Sequence, residues 1–292
     1  MKLYKTIFIA LFALPMMMAA QEVQDTIAVQ EEQVAEVQDT IAPATVELER
    51  AAFESTSLIE SQTNRVYSKG TIEMIMNHRF GLVNGTNDMI GIWAPSNIRI
   101  ALNYSITDRI TVGFGTTKDA RLLDFSLKAA IFRQTVGNKM PFSITYYGNF
   151  ANSTLSKVNF INTSNRFSFF NQLIIAKRFS KAISFQIAPS VSHFNALDAS
   201  MKNDLFSIAI GGRAKITSDM SILLESNQPL TKQANNPKPG LSTGVEFSTV
   251  GHTFQIFVTN YRGIINQQSI MFNQNDFFSG DFAIGFNISR TW

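Results

Sequence analysis

The chain has 292 residues and is 45% hydrophobic, yet only 16% of it is charged, against the ~25% usual for soluble domains. It contains 25 phenylalanines beside two tryptophans and six tyrosines, and no cysteine, which excludes disulfides, thiol catalysis and a lipidated N-terminal cysteine. Past the extreme N-terminus no stretch reaches the ~18 unbroken apolar residues of a spanning helix, so any crossing of a membrane falls to strands.

The first twenty residues, "MKLYKTIFIALFALPMMMAA", place Lys2 and Lys5 before an apolar run from Ile7 to Leu14 and small residues at Ala19 and Ala20. This is the pattern of a secretory signal peptide over 1–20. Residues 21–52 follow as an acidic tether, in which "EVQDTIA" occurs twice, at 22–28 and 36–42. Eight acidic residues against one basic in 21–50 favour a disordered segment. A short coiled-coil or partner-docking segment is the alternative. The overall charge of +3 conceals a basic body, because residues 51–292 hold 22 Lys and Arg against 14 Asp and Glu.

Residues 53–69 mix apolar Phe53, Leu58 and Ile59 with polar Glu54, Glu60 and Arg65. That mixture suits a segment folded back against the mouth of a barrel. From about Gly70 onward, side chains alternate. In "NYSITDRITVGF" and the residues before it, Ile98, Ile100, Leu102, Tyr104 and Ile106 share one face, with Asn97, Arg99, Ala101, Asn103 and Ser105 on the other. Period-two alternation is the mark of strands.

One turn form recurs. "ITDRIT" at 106–111, "FSKAIS" at 179–184 and "ITSDMS" at 216–221 each run apolar, Thr or Ser, two variable residues, apolar, Thr or Ser. Keeping the two apolar residues on one face calls for a three-residue loop. Extended along the chain, this reading predicts twelve strands: 70–80, 97–106, 109–117, 121–132, 140–149, 166–179, 182–193, 204–216, 219–227, 240–248, 252–261 and 279–290. Their lengths suit tilted membrane strands. Short turns and longer polar loops mostly alternate, as in outer-membrane barrels. The expected fold is therefore an all-β, antiparallel up-and-down transmembrane β-barrel of about 12 strands spanning 53–292, with both termini periplasmic.

The last strand, "SGDFAIGFNISRTW", puts Phe282, Ile284, Phe286 and Ile288 on one face and ends in Trp292. It resembles the C-terminal signal read by the barrel-assembly machinery. An open edge in hydrocarbon would leave backbone groups unsatisfied, so this strand is expected to pair with the first.

The polar face assigns Glu73, Arg79, Arg99, Asn103, Asp124, Lys128, Arg213, Glu225, Glu246 and Asp281 to the lumen, with Gln186, Gln255 and Asn287 beside them. Charges of both signs fit either a salt-bridged closed interior or a narrow polar path. His78, His193 and His252 are the only histidines, and none has a second ligand at metal-binding spacing. No catalytic constellation stands out among the many serines.

The segments "GTIEMIMNHRFG" (70–81), "SNIRIALNYSITDRITVGFG" (96–115), "LKAAIFRQ" (127–134), "KPGLSTGVEF" (238–247) and "GHTFQIFVTNYRGI" (251–264) resemble a family of bacterial β-barrel proteins catalogued as a domain of unknown function. The resemblance covers about residues 53–292 and implies a barrel without implying an activity. Taken together, the sequence points to a non-enzymatic barrel of the cell outer membrane, for passage or binding of a small solute. A closed barrel that scaffolds or recruits a partner is the alternative, and an embedded hydrolase a minor one. Expected partners are outer-membrane lipids, the barrel-assembly machinery during biogenesis, a small solute, and a periplasmic protein docking on the acidic tether. Nucleic acid, cofactors and metals are not expected.

Overall fold

The computed structural model describes residues 47–83 and 89–292, all within one compact unit, Thr45–Trp292. The segments expected to be a signal peptide (1–20) and, up to residue 46, an acidic tether lie outside the described residues, as do residues 84–88.

Twelve strands form one closed antiparallel sheet in which each strand pairs with its neighbours in sequence and the last pairs with the first. They are β1 (Ile72–Leu82), β2 (Asn97–Thr107), β3 (Ile110–Thr117), β4 (Leu122–Phe132), β5 (Ser143–Ser153) and β6 (Phe167–Arg178), then β7 (Ile183–Phe194), β8 (Asp204–Lys215), β9 (Met220–Pro229), β10 (Gly240–Thr249), β11 (His252–Thr259) and β12 (Ala283–Thr291). Closure runs from Glu73 opposite Thr291 to Arg79 opposite Gly285, then through a register shift to Leu82 opposite Ala283. Ile72 and Trp292 exchange both backbone hydrogen bonds, at 3.2 and 3.0 Å. No strand edge is left open, which hydrocarbon demands.

The strands agree with the sequence pattern to within two residues except at three ends, one of them the end of β5, which runs on to Ser153 rather than 149. β5 starts at Ser143, not 140, because Pro141 has no amide and the Met140 amide is turned to Thr135 Oγ1. β12 starts at Ala283, not 279, because Phe277–Ser279 forms a 3-10 turn closed by Gly280 at φ +91°.

Two ends of the barrel differ. One carries both ends of the closed sheet and the short turns; we call it the turn end. The other carries the longer connections and is the loop end. The recurring Thr or Ser of the short turns has a physical role. Thr107 Oγ1 accepts from the amides of Arg109 and Ile110, Ser180 Oγ from Ala182 and Ile183, and Thr217 Oγ1 from Asp219 and Met220, at 3.0 to 3.3 Å. The hydroxyl satisfies the turn amides that no strand partner reaches. Ile216 faces Met220 and Phe179 faces Ile183, each across a three-residue loop. The first of these turns differs. Thr107 pairs with Ile110 and Ile106 is bulged, so a two-residue turn and a bulge keep the faces in phase.

Apolar side chains cover the outer face. Phe114, Phe125, Phe150 and Phe169 lie opposite one another on β3 to β6, with ring centroids 5.1, 6.4 and 5.3 Å apart in succession. This ladder accounts for part of the phenylalanine excess and presents lipid with a continuous apolar band. Among the described residues no helix is long and apolar enough to cross a membrane.

The interior is filled by two segments that do not belong to the sheet. Residues 52–64 enter from the turn end. From the loop end comes the β11–β12 connection, which carries the short helix α1 (Asn266–Phe272).

Candidate functional site

The lumen is built from the outside in, beginning with its wall. Alternation sends Glu73 and Arg79 of β1, Arg99 and Asn103 of β2, Asp124 and Lys128 of β4, Gln186 of β7, Arg213 of β8, Glu225 of β9, Glu246 of β10, Gln255 of β11 and Asn287 of β12 inward, and all but Arg99 and Asn103 are buried. Asp281 is placed elsewhere. It lies in the connection before β12, where its carboxylate accepts from the Asp276 amide at 3.1 Å. Phe282, Ile284, Phe286 and Ile288 point away from the lumen, and Trp292 is exposed at the turn end.

The wall is not uniformly polar. On β6 to β9 the inward positions include Phe170, Ile174, Ala176, Ala188, Leu205, Ala209 and Leu223. Against them pack Phe53, Leu58 and Ile59 of the N-terminal segment and Ile270 and Met271 of α1. Burying these side chains anchors both insertions to one side of the barrel.

The N-terminal segment is a hairpin. Thr63 donates its amide to the Thr56 carbonyl at 3.0 Å and Leu58 to that of Ser61 at 2.8 Å, so the tip lies at 58–61. Where the sequence suggests a segment against the mouth, the hairpin instead runs up the lumen. Its polar groups explain why. Glu225 accepts from three successive tip amides, Ile59, Glu60 and Ser61, at 3.4, 2.7 and 3.2 Å. Arg79 donates to Glu60 Oε1 at 3.0 Å and lies 4.4 Å over the Phe257 ring. The Ile59 carbonyl accepts from Asn287, that of Ser57 from Gln255 and that of Gln62 from Gln186. Lower down, Lys128 Nζ donates to the Thr56 carbonyl at 2.7 Å and Thr56 Oγ1 to Glu73 at 2.9 Å. Arg213 bridges Glu54 at 3.3 Å and Glu246 at 3.7 Å. A chain buried without a sheet of its own must find such partners for its backbone.

From the other end, Asn266 of α1 donates to the Glu60 carbonyl at 2.9 Å, so the two insertions meet inside the barrel. Gln267 donates to Asn149 Oδ1 at 3.0 Å.

What space remains lies on the side of β1 to β5. There, Arg99 and Asp124 form a two-pronged ion pair at 3.0 and 2.6 Å, and Asn149 donates to the same carboxylate at 3.1 Å. A cavity of about 20 Å³ is lined by Thr56, Gln62, Arg65, Arg99, Lys128 and Tyr147 among others. A second, of about 30 Å³, shares Gln62, Arg99 and Tyr147 with it and extends to Arg79, Asp124 and Asn266. Larger cavities flank them: about 350 Å³ at the turn end, bounded by Arg65, Tyr67, His252 and Trp292, and about 320 Å³ at the loop end, bounded by Asp119, Arg262 and Gln268. Burial, and then the nearby Glu73 carboxylate, push the Tyr67 phenol well above its usual range, so it stays neutral.

The histidines are scattered. His78 faces outward on β1, stacked on Phe286 at 4.9 Å; His193 pairs with Asp204 at 2.7 Å on the loop-end rim; His252 begins β11 at the turn end. Among the described residues no group of three or more His, Cys, Asp or Glu could hold a metal ion.

Several site residues escape the strand pattern. Glu60, Gln62 and Arg65 come from the hairpin, and Asn266 and Gln267 from α1. The signal for α1 is the cluster of Ile264, Ile265, Ile270 and Met271 in a connection that otherwise reads as polar.

Among solved structures, the chain is similar to the NanC porin at 10% identity, over 75% of this chain and 98% of that one, with a TM-score of 0.49. It is similar to an outer membrane channel of Pseudomonas putida F1 at 11% identity, over 78% and 97%, with a TM-score of 0.43. A third is the outer-membrane expressed OmpT of Vibrio cholerae, at 11% identity over 66% and 64%, with a TM-score of 0.37. No curated protein matches the chain in sequence. A family model does match it, over residues 53–292, which span the hairpin, all twelve strands and α1. The chain belongs to the family described as a membrane bound beta barrel domain (DUF5777).

Proposed function

We propose that this protein is a non-enzymatic barrel of the outer membrane that passes a small polar solute along the seam between its hairpin and the β1–β5 wall. The observation that carries this reading is the succession of cavities. The turn-end space and the 20 Å³ cavity share Arg65, and the 20 and 30 Å³ cavities share Gln62, Ile75, Arg99 and Tyr147. The 30 Å³ cavity then reaches Ile264, next to Gly263 of the loop-end space. At about 10–15 Å³ per water, the 20 Å³ cavity has room for one or two waters and the 30 Å³ cavity for two or three. The seam is thus narrow and lined largely by polar groups. The hairpin lies with its apolar residues on the far wall, so side-chain movement widens the seam without expelling the hairpin.

In this reading the turn end, where the hairpin enters and Trp292 lies, faces the periplasm and the longer loops face outward. The outward residues of β12 and the terminal Trp292 serve recognition by the assembly machinery. A periplasmic partner that recognises the acidic sequence of 21–52 belongs to the same reading.

A second reading has its own support: the two insertions meet at Glu60 and Asn266, as in a barrel closed for use as a scaffold. Purified protein in planar lipid bilayers separates the two. Discrete, reproducible current steps support passage, and their absence supports the scaffold.

A further inference from the structure

We propose that Arg65 makes the seam selective for small oxyanions, carboxylates or inorganic phosphate; the proposal rests on the passage reading above. Arg65 sits on the returning limb of the hairpin and lines three spaces at once: the turn-end cavity, a side cavity of about 120 Å³ beside Leu48 and Phe132, and the 20 Å³ cavity that begins the seam. A solute moving from the turn-end cavity into the seam therefore passes this guanidinium, the residue that the two spaces share. Its position is set by the Arg65 amide, which donates to Thr63 Oγ1 at 3.2 Å, and by the Tyr67 ring, over which the guanidinium lies at 4.8 Å.

Its charge is uncommitted. Among the described residues no carboxylate lies within 4.0 Å of it, and its Nε is buried without a partner. The other cations of the seam are engaged: Arg79 with Glu60 at 3.0 Å, Arg99 with Asp124 at 2.6 Å, and Lys128 with the Thr56 carbonyl at 2.7 Å. Against these four cations stand Glu60 and Asp124, with Glu73 behind them, tied to Thr56 and Asn103. Within the two inner cavities the surplus is one positive charge, and it resides on Arg65; Glu54, on the wall of the turn-end cavity, is held by Arg213 at 3.3 Å. In so narrow a passage, walled by low-dielectric protein, a single unbalanced charge fixes the sign of the ion that enters. A guanidinium also presents a planar fork matched to carboxylate and phosphate oxygens. Ser68, Thr71 and Thr253, which line the same turn-end cavity, offer hydroxyl donors around it.

The test is the reversal potential of the full-length protein in planar bilayers under a potassium chloride gradient, repeated with chloride replaced by acetate and by inorganic phosphate. The expected result is an anion-selective reversal potential, with current persisting in acetate or in phosphate, the salt that carries it telling the two classes apart. R65Q should move the reversal potential toward the unselective value, and R65K should keep the wild-type sign. A wild type that is unselective or cation-selective, or an R65Q variant with the wild-type reversal potential, overturns the proposal. So does loss of current in both acetate and phosphate. If R65Q does not reach the folded, heat-modifiable form, the sign of the wild-type reversal potential decides alone. No current under any condition overturns the passage reading and this one with it, whereas unselective current leaves passage standing and removes only the role of Arg65.

Discussion

Leu58, at the tip of the hairpin, packs directly against Gly211 of β8, where its methyl group occupies the space that a β-carbon on Gly211 would take. The contact joins two parts of the chain 153 residues apart and locks the hairpin onto the apolar side of the lumen.

Gly211→Val should therefore unseat the hairpin tip. Overpacking a filled interior costs about 1–3 kcal/mol, and because the barrel wall is independently paired, the loss falls on hairpin docking. Limited trypsin digestion in detergent reads this out: the wild type should resist cleavage at Arg65, and the variant should be cut there while the barrel stays heat-modifiable. Equal resistance in both would mean the tip is not held at Gly211.

Glu225 supplies the polar half of the same anchorage. Removing an acceptor from three buried amides costs about 1–3 kcal/mol in groups left unsatisfied. Glu225→Leu should raise hydrogen exchange at the amides of Ile59, Glu60 and Ser61 while leaving the strand amides of β9 protected. Unchanged exchange at the tip would show that the clamp contributes nothing.

The two faces of the wall should respond oppositely to charge. Phe114, Ile222 and Ile256 are 44–46% exposed on the outer face, and arginine there should cost about 2–4 kcal/mol near the bilayer midplane. Thr253, which faces inward on the wall of the 350 Å³ turn-end cavity, should tolerate arginine far better. Denaturant unfolding in lipid vesicles measures both. Equal losses would contradict the assignment of faces.

The barrel was legible because alternation and turn chemistry are local. Each strand declares its lumen face through residues such as Arg99 and Glu246, and the Thr or Ser of three turns marks its hydroxyl-capped amides. The filling of the lumen was much less legible. Phe53, Leu58 and Glu60 announce a mixed segment, but their partners, Gly211, Glu225 and Arg79, are joined to them only by closure of the sheet. α1 was missed because seven residues carry too little periodicity to stand out, and its helix is held by packing on the β6–β9 wall more than by its own propensity. Arg65 illustrates the same limit. Its sequence neighbourhood suits a segment at the barrel mouth, and its place at the head of the seam follows only from the hairpin's course.

The absence of cysteine makes single-site labelling clean. Ser126 lines the seam on β4, while Ser207, on β8, is 2% exposed and hydrogen-bonded to Ser190 at 2.8 Å. Cysteine at 126 should react with a small anionic thiol reagent added to folded protein, and cysteine at 207 should not. Comparable labelling at both would mean the two sides of the hairpin are equally open to water.

Single-channel recording of the Ser126→Cys variant, before and after that reagent is added, tests the seam most directly. Current steps should fall or vanish on modification at position 126 and stay unchanged in Ser207→Cys treated alike. Steps that persist undiminished after complete labelling at 126 would put the path elsewhere, and the absence of steps before labelling would mean the barrel is closed.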